Sequence, residues 1–232
     1  MRLKASAPYG TEAFDVLFRI SFFACRRESL MVNNMTALYE MTECPPVLGV
    51  HCPDCAAHAR FEFARVVRIT RREDLGYFKA HPAFEYKFCR ESHVGMSWHA
   101  ALFFEGLHGT LAGLSDLPQG YVSSDWARSS TWRCRLAHFP LGTLTCKRCR
   151  SKRRHELSWP NDAWFQCEIR GELLWAFDRT SALMLRDYLA SDDRKTGKYE
   201  QARFLRYIPS KCKTAKVRAL VLKKLGRLLE SS

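Results

Sequence analysis

Two short stretches of sequence decide the fold: Cys52-Pro53-Asp54-Cys55 and Cys146-Lys147-Arg148-Cys149. Each has the spacing C-x-x-C, in which two intervening residues let both sulfur atoms face one ion while the backbone turns beneath it. Zinc ribbons pair two such turns, called knuckles, to close a tetrahedral site of four cysteines. The sequence therefore predicts a zinc site whose ligands are Cys52, Cys55, Cys146 and Cys149.

Three other interpretations of the two knuckles stay open. A thioredoxin-like redox pair needs a helix that opens at the first cysteine, whereas a strand-like pattern follows Cys55. Disulfide bonds need an oxidising compartment, and the two C-x-x-C stretches can also be coincidental. One feature weakens the zinc prediction: a glycine usually follows the second cysteine, where a positive φ is favoured, but this chain has Ala56 and Arg150 there.

The other cysteines and the nearby histidines are interpreted as structural. Cys44 is an alternative ligand, although the prolines that follow it make its segment stiff. His51 and His58 flank the first knuckle and are expected to be neighbours of the site or surface residues. Free cysteine packs like a small apolar side chain. We therefore expect the cysteines without metal-ligand spacing to lie in the core: Cys89, Cys134, Cys167 and Cys212.

The length of 232 residues and a hydrophobic content of 47% predict one domain with a small appendage. We divide the chain into a zinc-ribbon domain at 35–190 and a basic helical segment at 191–232. Residues 1–34 are either an extension upstream of a true start at Met31 or Met35, or a short amphipathic helix. No uncharged run reaches the ~18 residues that span a bilayer. No secretory signal is found either, so the sequence predicts a cytoplasmic protein without a membrane span.

The ninety residues between the knuckles form a long insert. Residues 59–70 read as one strand, 83–89 and 96–104 as two more, and the glycines after 104 predict loops. After the second knuckle, apolar runs on both sides of Arg170-Gly171 predict a β-hairpin. Asp178 or Thr180 can cap a helix to about 190, with Leu183, Met184, Tyr188 and Leu189 buried. A last helix is predicted from 210 or 211 to about 229, with an apolar face of Val217, Leu220, Val221, Leu225, Leu228 and Leu229.

This closing part resembles a bacterial family of zinc-ribbon proteins. The resemblance is carried by Ser158-Trp159-Pro160-Asn161-Asp162-Ala163 and by Leu174-Trp175-Ala176-Phe177-Asp178-Arg179, with the two helices after them. It covers residues 46–230, and its most specific parts are the Trp-Pro-x-Asp-Ala and Leu-Trp-Ala blocks. The resemblance implies a metal-bearing bacterial protein and supplies no activity.

The net charge of +13 is concentrated in two segments. Residues 147–154 carry six basic side chains and no acid, and residues 195–232 carry eleven against two acids. Such clusters bind a phosphate backbone by releasing its counterions, although an acidic protein partner or no ligand at all also fits. The predicted contacts to nucleic acid are Lys147, Arg148, Arg150, Lys152, Arg153 and Arg154, with Lys213, Lys216, Lys223, Lys224 and Arg227.

Aromatic side chains offer a weaker sign of nucleic-acid binding, because they can stack on unpaired bases. The candidates also fit a place in the core, which we favour: Tyr121, Trp126, Trp132 and Phe139.

Few features of the sequence indicate an enzyme. The sequence contains no nucleophile elbow, zinc-protease motif, Walker loop or dinucleotide fingerprint. Asp162 and Glu168, with Arg170 after them, could hold Mg²⁺ as carboxylate pairs do in nucleases, but surface and turn residues explain the same letters. A zinc ion held by four thiolates leaves no open position for catalysis. The sequence favours a protein without enzymatic activity, and a metal-dependent nuclease is the least favoured alternative.

Together these features predict an α+β fold: a four-cysteine zinc ribbon with a long β-rich insert between the knuckles, a β-hairpin and two C-terminal helices. The predicted function is binding of nucleic acid through the segments 147–154 and 195–232, with a purely structural zinc ion. The alternative is a protein-interaction or assembly module. The sequence gives no indication of the oligomeric state.

Overall fold

The computed structural model describes residues 45–91, 96–128, 140–199, 204–205 and 208–231. Expectations for residues 1–34, Cys44, Trp132, Cys134 and Phe139 lie outside these ranges. The described strands are β1 (Val47–His51), β2 (His58–Phe63), β3 (Arg65–Ile69), β4 (Phe84–Glu91), β5 (Met96–Phe103), β6 (Ala127–Arg128), β7 (Leu141–Cys146), β8 (Lys152–Glu156), β9 (Phe165–Ile169) and β10 (Glu172–Ala176). The helices are α1 (Leu75–Ala80), α2 (Glu105–His108), α3 (Arg179–Ala190) and α4 (Ala215–Glu230).

The predicted α+β class is confirmed, and all pairs of strands in the sheets are antiparallel in the described ranges. The first sheet, here called the knuckle sheet, has the strand order β1-β2-β7-β8. It consists of two hairpins, β1–β2 and β7–β8, joined by the pairing of β2 with β7. Each hairpin carries one C-x-x-C stretch in its turn.

The insert forms a second sheet, here called the insert sheet, with the order β4-β5-β3-β6. The prediction of one strand at 59–70 is wrong, because this segment forms two strands, β2 and β3, that belong to different sheets. The change comes at Ala64, whose N–H group donates to the carbonyl of Leu141. Immediately beyond it, both Val66 and Val67 are buried, because the insert sheet is covered on both faces. A single strand with one solvated face would have buried only one of these two.

Two apolar clusters cover the two faces of the insert sheet. One contains Phe78 of α1 together with Phe84, Phe103 and the rings of Tyr121 and Trp126. The other contains Trp98, Leu102 and Phe104, with the buried thiol of Cys89. Tyr121 and Trp126 are therefore core residues, as favoured from the sequence, and they are not available to stack on bases.

The β9–β10 hairpin turns at Arg170 and Gly171, as predicted. Both residues have positive φ, +52° and +76°, which matches the twist of a two-residue hairpin turn. The hairpin lies against the outer edge of β1, where Val50 and Ala163 form a bridge and the N–H group of Gly49 donates to the carbonyl of Phe177.

The two C-terminal helices exist, but their details differ from the prediction. In α3, Leu183 and Met184 are only half-buried, whereas Ala182 and Leu185 are fully buried. The last helix begins at Ala215, because 210–213 form a separate 3-10 turn. Its buried face is narrower than predicted: Leu220 is 45% exposed and Leu228 is half-buried, while Val217, Val221, Leu225 and Leu229 are buried.

The start of α3 is fixed by a capping box. The carboxylate of Asp178 accepts from the N–H group of Ser181 at 2.7 Å, and the Ser181 hydroxyl lies 2.9 Å from the N–H group of Asp178, from which it accepts in return. We expect Asp178→Ala to lower the free energy of unfolding by about 1 kcal/mol, because it leaves helix N–H groups without a partner. Denaturant titration measures this loss. Asp178→Asn is the matched control: asparagine caps about as well as aspartate, so an equal loss in both variants would contradict the capping role.

No helix within the described ranges is long and apolar enough to cross a membrane.

Candidate metal centre

The four knuckle cysteines converge on one point. The Sγ atoms of Cys52 and Cys149 lie 3.6 Å apart, as do those of Cys55 and Cys146. All four Sγ atoms lie within 4.8 Å of one another. Among the described residues, this is the single group of three or more side chains placed to share a metal ion.

The spacing of the sulfur atoms fits a tetrahedral site. With a metal–sulfur bond of about 2.3 Å, the edge of a regular tetrahedron of sulfurs is about 3.8 Å, close to the two distances of 3.6 Å. A disulfide bond needs about 2.05 Å, and the four cysteines are free thiols. Neither knuckle opens a helix, because each connects two antiparallel strands. The geometry therefore matches a metal site and differs from a thioredoxin-like one.

The two knuckles share the same backbone pattern. The N–H group of Cys52 donates to the carbonyl of Ala57, and the N–H group of Cys146 donates to the carbonyl of Ser151, five residues on in both cases. Each hairpin is thus closed directly at its first cysteine. The closure holds the two sulfurs of one knuckle on the same side of the turn.

The missing glycines do not prevent these turns. Ala56 has φ of +54° and Arg150 has φ of +61°, so both adopt the left-handed conformation that glycine usually supplies. For a residue with a side chain, this conformation costs roughly 1–2 kcal/mol. The lack of glycine after the second cysteine therefore does not argue against a knuckle. Both turns form with alanine and arginine, and the surrounding hairpins offset the strain.

The pairing of β2 with β7 brings the knuckles together across ninety residues of sequence. Ala59, just after the first knuckle, lies opposite Cys146, the first cysteine of the second. The insert leaves the knuckle sheet after β2 and returns at β7. The long separation between the knuckles is thus compatible with one site, because the chain between them is a sheet of its own.

The electrostatics of the site favour ionisation of one thiol. The backbone N–H group of Cys149 points at the sulfur of Cys146 and lowers the pKa of Cys146 to about 7. The N–H group of Ser151 lowers the pKa of Cys149, but loss of hydration and the other three thiols raise it, and the resulting pKa is about 12. The thiolate is the form that binds metals, so the backbone N–H group directed at Cys146 favours the form of this thiol that a metal site needs.

The two histidines lie beside the group of four cysteines. His51 lies with its Nδ1 atom 3.4 Å from the carbonyl oxygen of Ala56 and its ring 4.7 Å from Trp164. Burial, followed by the nearby charges of His51 and Lys147, lowers the pKa of His58. Neither histidine belongs to the group of side chains that can share an ion, in agreement with the sequence interpretation.

The remaining described cysteines are buried apart from the site, as expected: Cys89, Cys167 and Cys212. Burial raises the pKa of Cys89 and of Cys167 to about 11. These thiols are therefore neutral packing groups near neutral pH.

The basic segment 147–154 lies on the second knuckle and on β8, the outer strand of the knuckle sheet. Two of its six cations are neutralised: Arg153 pairs with Asp54 at 3.2 Å and Arg154 with Glu85 at 3.3 Å. The pairing with Asp54 was missed from the sequence, although an acid inside a C-x-x-C stretch facing a run of arginines is a usable signal. Four cations are exposed and form no ion pair within the described residues: Lys147, Arg148, Arg150 and Lys152.

The second basic segment lies elsewhere. Helix α4 packs on β9 and α3, and the β9–β10 hairpin adjoins β1, at the opposite edge of the knuckle sheet from β8. The amine of Lys224 donates to the carbonyl of Glu168, and burial, then Arg194, lowers the pKa of Lys213. The predicted contacts that remain exposed on this helix are Lys216, Lys223 and Arg227. Since three strand spacings of about 4.8 Å separate β1 from β8, a continuous phosphate track between the segments would have to cross the sheet.

The two carboxylates of the nuclease hypothesis, Asp162 and Glu168, are not arranged to share a metal ion. Asp162 accepts from the N–H group of Ser158 at 2.8 Å and lies 3.0 Å from Nε2 of His155. Glu168 is exposed on β9, opposite Leu173. Neither belongs to a group of three or more potential ligands among the described residues. The arrangement thus gives no support to a magnesium site there.

None of the protein-family models, curated proteins or solved structures compared with this chain matches it.

Proposed function

We propose that this chain is a zinc ribbon in which Cys52, Cys55, Cys146 and Cys149 bind one structural zinc ion. The observation that carries the proposal is the convergence of four sulfurs at tetrahedral spacing. Four sulfur ligands in this geometry select zinc or iron over harder ions, and four thiolates close the site to substrates. The likeness of residues 46–230 to a bacterial zinc-ribbon family, and a cytoplasmic location where thiols stay reduced, belong to the same proposal.

The proposed role of this zinc ribbon is to bind nucleic acid through the second knuckle and β8. The four exposed cations at 147, 148, 150 and 152 form no ion pair within the described ranges, and they lie on the second knuckle and the start of β8, whose position the metal would fix. Cations held on a rigid element bind phosphates by releasing counterions, without loss of flexibility at the moment of binding. The cluster on α4 is a second basic surface and is not needed for this contact.

A protein-interaction module is the second candidate, and one observation favours it. Arg153 and Arg154 are paired with acids, and Lys224 holds α4 on β9, so part of the positive charge serves the fold itself. In that case the unpaired cations would meet an acidic protein surface. The salt dependence of binding to nucleic acid separates the two candidates.

We expect the protein to bind a fluorescein-labelled DNA duplex with a steep dependence on salt, measured by fluorescence anisotropy. Four phosphate contacts give a slope of about −3.6 in log K against log salt, or roughly a 100-fold loss between about 50 and 200 mM salt. Replacing Arg148 and Lys152 together by alanine should reduce the slope by about 2, because two contacts are removed.

The matched control is the pair Lys216→Ala and Lys223→Ala, which removes the same charge from α4. We expect this variant to keep the slope within about 1 of the wild type, because α4 lies at the other edge of the knuckle sheet. Binding that does not change with salt, or an equal effect of both double variants, would contradict contact through the second knuckle.

A further inference from the structure

Strand β4 presents aromatic rings to solvent on the face that elsewhere forms the core. Phe84, Tyr86 and Phe88 alternate along this strand and so point to the same side. Phe84 is buried, Tyr86 is half-buried and Phe88 is 49% exposed. On β5, His99 lies directly opposite Phe88. We call Tyr86, Phe88 and His99 the aromatic strip.

The exposure increases along β4 because its covering ends. Helix α1 packs on the beginning of the strand, where Phe78 lies 5.1 Å from Phe84 between ring centroids. At the other end, Phe88 is the one large aromatic side chain of the described residues that counts as exposed. Since β4 is also the outer strand of the insert sheet, the strip can be approached from the side as well as from above.

The rings of the strip are held in place by one another. The hydroxyl of Tyr86 lies 2.7 Å from Nδ1 of His99, within hydrogen-bond distance. The same two rings stack with centroids 5.8 Å apart and planes at 26°, and the Phe88 centroid lies 5.1 Å from that of His99. A ligand that stacks on Phe88 would therefore meet a surface that is already ordered, which lowers the entropy lost on binding.

Cations surround the strip. The amine of Lys79 lies 4.6 Å from the centroid of Tyr86, and the guanidinium of Arg90 lies 5.7 Å from that of Phe88. Beside His99 there is an open cavity of about 300 Å³, whose lining includes Ser97 on the same face as the strip. Aromatic faces beside positive charge and hydroxyl donors are complementary to a base with its phosphate.

The basic segment of the second knuckle contacts β4 on the face opposite the strip. Glu85, the neighbour of Tyr86, accepts from Arg154 of β8 at 3.3 Å and from Lys87 at 2.7 Å. Arg154 in turn lies over the ring of Phe104 in the insert. The second knuckle and the rings of β4 are thus on opposite faces of this outer strand, and a bound nucleic-acid strand would reach both by passing its edge.

We propose that the aromatic strip is a binding site for the unpaired bases of single-stranded nucleic acid, an inference that rests on the proposed function. A base stacks on Phe88 and His99, and its phosphates lie near Arg90 and Lys79. A duplex cannot use this site, because its bases are already stacked on one another. The knuckle cations bind the backbone of either form, and the strip adds a preference for single strands.

The test uses the full chain and two probes, a labelled oligo(dT) of about 12 nucleotides and a duplex of the same length, a size within the range of single-strand binding sites. We expect Phe88→Ala to weaken binding of oligo(dT) by about 5- to 100-fold, the usual loss when one stacking ring is removed. Duplex affinity and the salt slope should stay unchanged, because no cation is lost.

Two further variants make the result specific. Phe88→Trp keeps a stacking ring, so it should bind oligo(dT) like the wild type, and the emission of the new tryptophan should be quenched by the base. Leu220→Ala removes an exposed apolar side chain from α4 and should have no effect. Thermal unfolding of each variant shows whether the fold is kept.

The outcomes separate this inference from the proposed function. If the wild type binds both probes but Phe88→Ala binds oligo(dT) as well as the wild type does, the strip is not a base site while the knuckle contact stands. If the wild type binds neither probe, both proposals are wrong.

Discussion

We expect removal of the proposed zinc ion to unfold the knuckle sheet. The purified protein is expected to contain one zinc ion per chain, and an excess of chelator should abolish its cooperative thermal transition or shift it far downward. The reason is the size of the metal's contribution: a structural zinc site supplies about 10–16 kcal/mol in small zinc domains, whereas a whole domain is stable by only about 5–15 kcal/mol. Elemental analysis and circular dichroism, with and without chelator, measure both parts.

The variant that isolates the metal is Cys149→Ser. The side chain of Cys149 is exposed, so its replacement removes a proposed ligand and almost no packing. We expect this variant to lose zinc to a weak chelator that leaves the wild type loaded, with a large loss of stability. Cys89→Ala is the matched control: Cys89 is buried in the insert sheet, away from the site, and its loss should leave one zinc per chain. A wild type that is purified without metal and melts unchanged in chelator would refute the zinc ribbon.

The parts of the fold that were predicted from sequence are those set by local chemistry. The turn at Arg170 and Gly171 follows from apolar runs on both sides of two residues, and both adopt the positive φ that such a turn needs. The start of α3 follows from Asp178, which caps the helix as expected. The four-cysteine group is predictable for the same reason, since two residues between cysteines fix the geometry of each knuckle by themselves.

The parts that were missed depend on what lies across the core. The break at Ala64 is invisible in sequence, because Phe63 and Val66 both read as strand residues and only the partner strands differ. The glycine rule failed at Ala56 and Arg150 because the closed hairpins impose the turn on whichever residue stands there. Tertiary contacts override local preference at both places.

The exposure of the aromatic strip is another consequence of tertiary structure. The strand at 83–89 was predicted, but the sequence does not show where α1 stops covering it. Phe84 and Phe88 are both phenylalanines on the same side of one strand, but Phe84 is buried and Phe88 is 49% exposed. Whether a ring of β4 is available for binding depends on how far α1 extends along the strand. A single sequence does not reveal this distance.

The second large effect is expected at Gly142, in β7 and buried. A Cβ atom here would overlap the backbone oxygen of Glu62 on β2 and lie 2.5 Å from Cζ of Phe61. The backbone oxygen belongs to the strand that pairs with β7, so it can move only if the two strands separate. We expect Gly142→Ala to lower the free energy of unfolding by about 3 kcal/mol or more, which corresponds to a drop of roughly 6–12 °C in Tm for a domain of this size.

The same substitution also tests how the metal site is assembled. The pairing of β2 with β7 is the connection that places Cys146 beside the first knuckle, so Gly142→Ala should speed the loss of zinc to a chelator although every ligand is still present. Gly226→Ala is the control, because a Cβ atom at that position of α4 meets nothing within 4 Å. In a helix interior this exchange should raise stability by about 0.5–1 kcal/mol and leave zinc release unchanged. If Gly142→Ala kept both the Tm and the zinc release rate of the wild type, the close approach of β7 to β2 would be wrong, and the two knuckles would need another route to each other.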